Sequence, residues 1–500
     1  MSYYILAKRL QELARNNIRN MVPALVWDQN SSSFTLLDCF EQSLRASRRL
    51  LMEIDDQLVL LTATNTVLTQ PINADTRFVA QFHDGPVKQA LADVSALRAL
   101  LSIASGTSRK GMLTLLDDEG KTLVRAELYE LVPNEGAAVV VVSPRGLRGY
   151  DEALDELLAS LRAYGGTPLN AGNLYRMIDH SSVSYVAKPA VEIGKTETAF
   201  DAATSLIESY LPVARANEDG IIRDFDTEFL HDYRVALRKI RSVLSLFKGV
   251  YETDQTLDLK QRFSALMAPT GPLRDSDVYL LDQQSFKSLV PATLHEGLDA
   301  MFEEIRRRRA QEQSRLAAHL TSQSYNKEIK ALTKLFAKKR KLAPGPNASR
   351  GSYDLACELI WKRYRKICRI AASITENTPD DEIHQLRIEC KKLRYLMEFF
   401  GPVFPKDPFD ELVKPLKRLQ DSLGLFNDCA VQQISLHSFV ESLGDEPHKL
   451  DIAQSVGALI TVLHQQQNAE RERIAEAFAR FNSERMQRSF HDLLRSGKEF

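Results

Sequence analysis

The spacing of apolar residues along the chain changes near Thr196. Before residue 190 it favours short strands and one helix, Asp151 to Tyr164, which Gly165 and the turn residues after it would end. Strand-like apolar runs occur at Leu58 to Leu61, Phe78 to Phe82, Met112 to Leu116, Thr122 to Leu131 and Ala137 to Ser143. After Thr196 the apolar positions recur at helical spacing. The pattern therefore predicts an α+β domain over residues 1–190, followed by an all-α domain over residues 197–500.

The helical part contains an internal repeat. A segment rich in proline and glycine, Leu342 to Ser352, separates two blocks, residues 197–341 and 353–500. An offset of 153 residues aligns the two blocks without a gap. The aligned pairs are His231 with His384, Arg234 with Arg387, Arg238 with Lys391, Lys239 with Lys392, Arg241 with Arg394, Phe247 with Phe400, Gly271 with Gly424, Asp275 with Asp428 and Val278 with Val431. The two blocks are therefore predicted to fold alike.

Each block places a row of cations on one face of a predicted helix. At about 100° per residue, positions i, i+3, i+7 and i+10 fall within one stripe roughly 80° wide. These positions hold His231, Arg234, Arg238 and Arg241 in the first block, and His384, Arg387, Lys391 and Arg394 in the second. Apolar residues such as Leu237 and Leu393 fall on the opposite faces. Each helix is thus predicted to bury one face and to present cations from the other.

Such a row is unfavourable without an anionic partner. Close like charges on a helix surface cost about 0.2–0.5 kcal/mol per pair, and the repulsion grows if two rows share one water-poor gap. A phosphate polymer would reverse the sign, because Arg and Lys make charge-assisted hydrogen bonds to phosphate oxygens. The alternative interpretation is a pair of solvated faces crossed by ion pairs. The recurrence of the same cations in the same order favours a binding site.

Overall charge does not reveal such a partner. The chain has 65 Lys and Arg against 66 Asp and Glu, so a basic surface must arise from local placement. No apolar run approaches the roughly 20 residues that span a bilayer, and the first residues do not form a signal peptide. The five cysteines are scattered without a Cys-x-x-Cys pair. We therefore expect a cytoplasmic protein without membrane contact, disulfide frame, metal or cofactor.

The repeated residues resemble those of the CHAD domain, the conserved histidine α-helical domain. The segments that begin at His231 and His384 look like its two His-x-x-Arg helices. Leu273-Arg274-Asp275-Ser276-Asp277-Val278 is similar to its Leu-Arg-Asp-x-Asp-Val segment, and the second block has Asn427 where the first has Arg274. Over residues 197–500 the resemblance implies two pseudo-symmetric four-helix bundles around a basic channel. It also implies inorganic polyphosphate as the partner and association with polyphosphate granules.

The resemblance further implies which residues bind polyphosphate. They are His231, Arg234, Arg238, Lys239, Arg241, His384, Arg387, Lys391, Lys392, Arg394 and Lys417. On this reading Lys239, Lys392 and Lys417 lie at the mouth of the channel and the others line it. No catalytic residue is implied, and assembly into a homo-oligomer stays open.

Residues 1–190 resemble a degenerate CYTH domain, an antiparallel β tunnel or barrel that often precedes CHAD. The similar stretches are Leu37 to Leu44, the hairpin from Leu113 to Arg125, and Gly149 to Leu154. An active CYTH tunnel begins with a strand that carries Glu-x-Glu-x-Lys, which residues 1–30 lack. Glu127 and Glu130 remain on a later strand, but residues three apart point to opposite faces of a regular strand. We therefore expect a scaffold or dimerisation module without triphosphatase or cyclase activity.

Two alternative functions belong to other classes. A metal-dependent triphosphatase would need a carboxylate cluster in residues 1–190. A nucleic-acid-binding protein would also use basic helices, but it would usually interleave aromatic residues for base stacking, and the two stripes contain none. We expect polyphosphate binding without catalysis.

Three further patterns receive structural interpretations. In Gly271 to Asp275 and Gly424 to Asp428, glycine is expected to end one helix and aspartate to cap the next. The run Arg306 to Arg309 is interpreted as a solvated face. Trp361 to Arg369 is interpreted as a core-packed helix whose basic side supplements the channel.

Overall fold

A computed structural model describes residues 2–72, 76–180, 185–375, 378–444 and 448–495. The chain divides into two compact units, Met1–Val186 and Ala187–Phe500. Among the described residues, no helix combines the length and the apolar character needed to cross a membrane.

The first unit is built on one curled antiparallel sheet. Its strands are β1 (Tyr3–Leu6), β2 (Val22–Trp27), β3 (Ser32–Asp38), β4 (Leu50–Ile54), β5 (Gln57–Leu61), β6 (Val67–Pro71), β7 (Leu101–Leu116), β8 (Thr122–Pro133), β9 (Val139–Gly146) and β10 (Thr167–Pro168). The sheet order is β10-β1-β9-β8-β7-β3-β4-β5-β6, and β2 pairs with β7. The predicted hairpin turn joins β7 to β8, with Gly120 at a φ of 80°. The curled sheet forms a half-barrel, which confirms the expected antiparallel CYTH-like architecture of this unit.

Short helices cover both faces of the sheet. They are α1 (Ala7–Ala14), α2 (Ser43–Ala46), α3 (Pro86–Ala90), α4 (Asp151–Ala163) and α5 (Ala171–Ile178). Leu10 of α1 and Leu157 of α4 share one core cluster with Leu113 and Leu115 of β7. On the other face, Leu174 of α5 belongs to a second cluster that includes side chains of β3 and β4.

The strand expected at Phe78 to Phe82 is wrong. Val79–Gln81 forms a single turn of 3-10 helix. Val79 and Phe82 are both buried, and residues three apart share a face on a helical turn but not on a strand.

Among the described residues of the second unit, all secondary-structure elements are helices. Its helices are α6 (Ala199–Ala216), α7 (Glu218–Ile222), α8 (Thr227–Leu246), α9 (Thr253–Met267), α10 (Gly271–Leu281), α11 (Gln283–Ser288), α12 (His295–Thr321), α13 (Gln323–Ala337), α14 (Ser352–Ala372), α15 (Asp380–Phe400), α16 (Lys406–Glu441), α17 (Lys449–Phe481) and α18 (Glu484–Arg495). Helix α6 packs on α8 as α14 packs on α15, and α10 packs on α12 as α16 packs on α17. The predicted all-α character of this unit is confirmed.

The two blocks also share a core through α12 and α17. Met301 and Phe302 of α12 belong to the same buried cluster as Val456 and Leu459 of α17. At Gly297 of α12, a Cβ atom would lie 2.2 Å from the carbonyl oxygen of Asp451 in α17. Glycine therefore permits a close helix contact here.

The capping interpretation of the glycine–aspartate signature is wrong. Gly424 and Asp428 lie inside the continuous helix α16, and Asp275 lies inside α10. Gly271 has a φ of −61°, so it adopts an ordinary right-handed helical conformation instead of the left-handed one that ends helices.

Candidate functional site

The cation rows of α8 and α15 meet at a cavity of about 620 Å³. Six of the predicted binding residues line it, namely His231, Arg238, Lys239, Arg387, Lys391 and Arg394. Lys188, which lies before α6, adds another cation. Among the described residues that line the cavity, Glu398 is the single carboxylate. The local excess of positive charge is therefore large although the whole chain is close to neutral.

The sequence of α8 fixes which side faces the cavity. The side chain of Asp226 caps the helix by accepting hydrogen bonds from the backbone nitrogens of Glu228 at 2.9 Å and Phe229 at 3.2 Å. Leu237 and Ile240 on the apolar face are fully buried. Arg238, directly after Leu237, is turned toward the cavity by the helical repeat.

Helix α15 is oriented in the same way. It starts with three acidic residues, which favour a helix N-terminus electrostatically. Leu386 and Leu393 are buried, while Arg387, Lys391 and Arg394 line the cavity. Two helices that each bury one face thus bring their cationic faces to a common space.

Burial and mutual repulsion act on the lysines of the cavity. Desolvation lowers the pKa of Lys239 to about 7, and the nearby Arg394, Lys188 and Arg238 act in the same direction. The carboxylate of Glu398 contacts Lys239. Desolvation, followed by the charges of Arg387 and Arg238, lowers the pKa of Lys391 to about 8. The free site therefore holds its positive charge at an energetic cost.

Two buried donor atoms, one on the cavity lining and one on the residue that contacts His231, find no partner among the described residues. They are Nε of Arg238 and Nη1 of Arg274. Buried polar groups are nearly always hydrogen-bonded, and an unpaired one costs about 1–3 kcal/mol. Both atoms are donors, so a ligand that relieves this cost must supply acceptor oxygens.

The leading histidines are held by equivalent positions of the glycine–aspartate signature. Arg274 Nη2 lies 3.1 Å from Nδ1 of His231, and Asn427 Oδ1 contacts Nδ1 of His384. Because a guanidinium has no acceptor, Nδ1 of His231 must accept, which leaves its proton on Nε2. Asn427 instead accepts from His384. The second block thus keeps the contact although Asn427 replaces the arginine. The histidine Nδ1 atom is an acceptor in the first block and a donor in the second.

The aspartates of the same signature lie beside the arginines that follow these histidines. Arg387 Nη2 lies 3.6 Å from Asp428 Oδ1. In the first block, burial and the charge of Arg238 lower the pKa of Arg234, and the charge of Asp275 opposes that shift. Arg234 itself donates to Thr270 Oγ1 at 2.5 Å. The signature thus positions the cation rows, a role that the sequence interpretation missed.

Other predicted residues lie outside the cavity lining. Arg241 Nη1 lies 3.2 Å from Met267 Sδ. Lys392 lies 3.0 Å from Glu389, which also pairs with Arg363 and Lys366. Lys392 therefore shares one carboxylate with two cations of α14, and it is not among the residues that line the cavity.

Arg234, His384 and Lys417 are the remaining predicted residues that do not line the cavity. His384 and Lys417 are exposed, on α15 and α16 respectively. Lys417 shares a helical stripe with Gln420 and Gly424, which do line the cavity. This position is that of a residue at the edge of the site.

Sequence reasoning missed Glu398 and Lys188. Glu398 Oε1 lies 2.7 Å from Nε of Arg394, which stands one helical turn before it. The i, i+4 spacing of these opposite charges was a readable signal. Lys188 lies outside both repeats, so no periodicity pointed to it.

The other basic segments lie elsewhere. Lys362, Arg365 and Arg369 line a different cavity of about 620 Å³ beside α14, so they do not supplement the site between α8 and α15. Arg306 and Arg307 pair with Glu303 and Glu304 on the surface of α12, as expected for a solvated face. Arg309 differs, because it bridges Asp224 and Asp277 at 2.7 Å each.

The carboxylates of β8 are each paired with an arginine. Glu127 lies 3.0 Å from Arg145, and Glu130 contacts Arg109. Within the described part of the chain, no group of three or more His, Cys, Asp or Glu side chains is arranged to hold a metal ion.

Known proteins resemble the helical unit. The crystal structure of the CHAD domain from the plant Ricinus communis is 22% identical and covers 63% of this chain and 98% of that chain, with a TM-score of 0.49. PptA from Streptomyces chartreusis is 14% identical and covers 56% of this chain and 99% of that chain, with a TM-score of 0.44. No curated protein matches. The family model of the CHAD domain matches residues 205–437, which include both cation rows and both glycine–aspartate signatures. The helical unit of this chain therefore contains a CHAD domain.

Proposed function

We propose that this chain binds inorganic polyphosphate, or a similar linear polyanion, in the cavity between α8 and α15, and that it acts as a binding protein and not as an enzyme. The main support is that cations from both repeats converge on one cavity. Among the described residues that line this cavity, a single one is a carboxylate. The CHAD domain provides a second, independent line of support.

The energetics favour a multivalent anion. Two unit charges 4 Å apart interact by about 4 kcal/mol at an effective dielectric constant of 20. In the free protein the charge of Arg238 acts against the charges of Lys239 and Lys391, and this repulsion adds to the desolvation that is the main cause of their lowered pKa values. Phosphate oxygens would reverse the sign and would also accept from the unpaired Nε of Arg238.

The aromatic residues of the cavity favour polyphosphate over nucleic acid. Tyr210 and Tyr395 line the cavity. Tyr210 is buried, and Nζ of Lys239 lies 4.6 Å from the ring centroid of Tyr395 and occupies that face. A base that stacked on this ring would have to displace the lysine. A polymer of phosphates alone makes no such demand. Cytoplasmic location and association with polyphosphate granules are further parts of the proposal and follow from the same ligand.

Titration calorimetry of the full chain with polyphosphates of defined length tests the proposal. We expect saturable binding that weakens steeply with salt, because bound counterions are released. Arg238→Gln combined with Lys391→Gln should remove most of the affinity while the helical circular dichroism persists. The matched control is Lys327→Gln with Lys330→Gln, which removes two exposed cations of α13 outside the cavity lining. Equal affinity of the two double variants would refute the site.

Two competing functions are tested in the same samples. Single-stranded DNA or RNA should fail to displace long-chain polyphosphate at physiological salt, and displacement would favour the nucleic-acid function. Tripolyphosphate incubated with magnesium or manganese should release no phosphate. Turnover would show that the chain is an enzyme, which the binding proposal excludes.

A further inference from the structure

The half-barrel of the first unit surrounds a further cavity, of about 400 Å³. Its lining residues come from β4, β5 and β6 and also from β8 and β9. These strands are far apart in the sheet order, so the sheet must curl around the cavity. The volume lies within the roughly 300–1,000 Å³ that small-molecule sites span.

Most of the lining is aliphatic. Four different strands contribute aliphatic side chains to it, namely Met52, Val59, Leu61, Leu131 and Val141. Among the described residues that line the cavity, Lys110 is the single basic residue and Asp55 the single acidic one. A triphosphate would need several cations and would leave the aliphatic side chains against charged oxygens. The lining therefore suits a ligand that is largely apolar.

The polar residues gather at one end of the cavity. Lys110 of β7 pairs with Tyr129 of β8, which in turn pairs with Val141 of β9. Ser143 lies two residues after Val141, so its side chain is on the same face of β9. Gln57 and Asp55 lie at the turn between β4 and β5, at the same end. Asp55 also acts electrostatically on Tyr129, which confirms that the two are close.

The opposite end is apolar. Leu50 pairs with Leu61 and Leu61 with Val67 in the register of β4, β5 and β6. Leu169 and Leu174, at the start of α5, complete this end. The cavity therefore has a hydrocarbon end and a polar end, the arrangement that matches an amphiphile with a single head group.

We propose that this cavity binds a medium-chain fatty acid, with the alkyl chain along the aliphatic strands and the carboxylate at Lys110, Tyr129 and Ser143. Lys110 supplies the charge. The hydroxyl group of Ser143 can accept from Ser2 Oγ, which lies 2.9 Å away, while it donates to one carboxylate oxygen, and Tyr129 would turn its hydroxyl group from Ser108 to the other oxygen. Asp55 repels the same head group and limits the affinity. This site is independent of the polyphosphate site, since every residue that lines it belongs to the first unit.

Laurate, titrated into the full chain below its critical micelle concentration, is the test ligand, and dodecanol is the uncharged comparison. Lys110→Gln should weaken laurate about tenfold or more and leave dodecanol unchanged, because one charge-assisted bond is lost. Asp55→Asn should strengthen laurate. Lys8→Gln, which removes an exposed cation of α1, is the matched control and should bind as the wild type does.

Filling the cavity provides a second test. Val141→Phe places a ring in the space between β9 and β5 and should abolish binding of both amphiphiles. Circular dichroism and unchanged polyphosphate affinity would show that the variant folds, and Val59→Phe replaces it if it does not. Absence of saturable laurate binding by the wild type would overturn the proposal, as would full binding by a folded cavity-filled variant.

Discussion

Phe247 stacks on Phe400 with ring centroids 4.8 Å apart and ring planes inclined by 19°. The two residues occupy equivalent positions of the internal repeat, so this is a contact between one residue and its own copy. An approximately two-fold relation between the blocks would bring equivalent residues together in this way at its axis. The stack therefore marks the place where α8 and α15 meet, next to the cations that both helices present.

The first prediction concerns this stack. Phe247→Ala and Phe400→Ala should each lower the free energy of unfolding by about 3–5 kcal/mol, because each removes a large buried ring. Urea unfolding of both single variants and the double variant should give a coupling energy of about 0.5–1.5 kcal/mol. Strictly additive losses would show that the two rings contribute separately.

The second prediction concerns pH. The pKa values of Lys239 and Lys391 are lowered to about 7 and about 8, so both lose positive charge as pH rises from 6 to 9. Polyphosphate affinity should fall over that range. Bound anions raise the pKa of both lysines, so in the complex the lysines lose their charge at a somewhat higher pH than in the free protein. Calorimetry of the wild type and of Lys239→Arg with Lys391→Arg checks this. The arginine variant keeps its charge and should show a nearly flat profile.

The same lysines affect the stability of the free protein in the opposite direction. In the unfolded chain their pKa is near the ordinary 10.5. Between the lowered and the ordinary values the unfolded state binds more protons, so the free energy of unfolding should rise as pH increases from about 7. A fall in stability over this range in the wild type, absent from the arginine variant, would contradict the cost assigned to the buried lysines.

The third prediction concerns Glu398. This carboxylate contacts Lys239 and lies 2.7 Å from Nε of Arg394, so it occupies cations that a phosphate would use. Glu398→Gln should tighten polyphosphate binding several-fold at pH 6, where the lysines remain charged. Glu476→Gln on α17, which also removes a carboxylate paired with an exposed arginine, is the control. Weaker binding by Glu398→Gln would mean that the carboxylate orients the cations instead of competing with the ligand.

The fourth prediction concerns Glu389, which is fully buried. Burial alone would raise its pKa, but hydrogen bonds from Lys392 and Arg363, followed by Lys366, lower the pKa to about 2. Because the folded pKa is lowered, the carboxylate stabilises the fold above about pH 4.5. That contribution should disappear as pH falls toward 2.

Glu389→Gln should lower the free energy of unfolding by about 2–3 kcal/mol at pH 7, which is the order that a pKa lowered from 4.5 to about 2 represents, since Arg363, Lys366 and Lys392 lose the carboxylate that they share. Urea unfolding from pH 2 to 7 should also show that the variant lacks most of the acid dependence. Glu484→Gln, at the exposed start of α18, should behave as the wild type does. If the control lost a similar amount of free energy of unfolding, the effect could not be assigned to the buried position of Glu389.

The repeat made the helical unit predictable from sequence. The offset of 153 residues aligned His231 with His384 and Phe247 with Phe400, and helical periodicity placed the cations on faces opposite the buried residues. Periodicity describes one helix at a time, however. It could not show that Lys239 of α8 meets Glu398 of α15, or that Arg363 of α14 meets Glu389 of α15, because these contacts join different helices.

Two errors have a local physical cause. Phe78 to Phe82 is rich in residues that favour strands, but tertiary packing of Val79 and Phe82 selects a helical turn. Glycine at position 424 suggested a helix end, yet α16 continues through it, because its neighbours supply enough buried surface to offset the low helix propensity. A Cβ atom at Gly424 would meet nothing within 4 Å, so crowding within the protein does not require glycine there.

The missing side chain of Gly297 has a consequence for how the duplicated blocks behave. The backbone of α17 lies where a side chain of α12 would be, so neither block can complete its interior alone. Cutting the chain in the proline-rich segment would yield two fragments with exposed apolar faces, and only their reassociation would recreate the cationic cavity. We therefore expect the two blocks to fold as one cooperative unit.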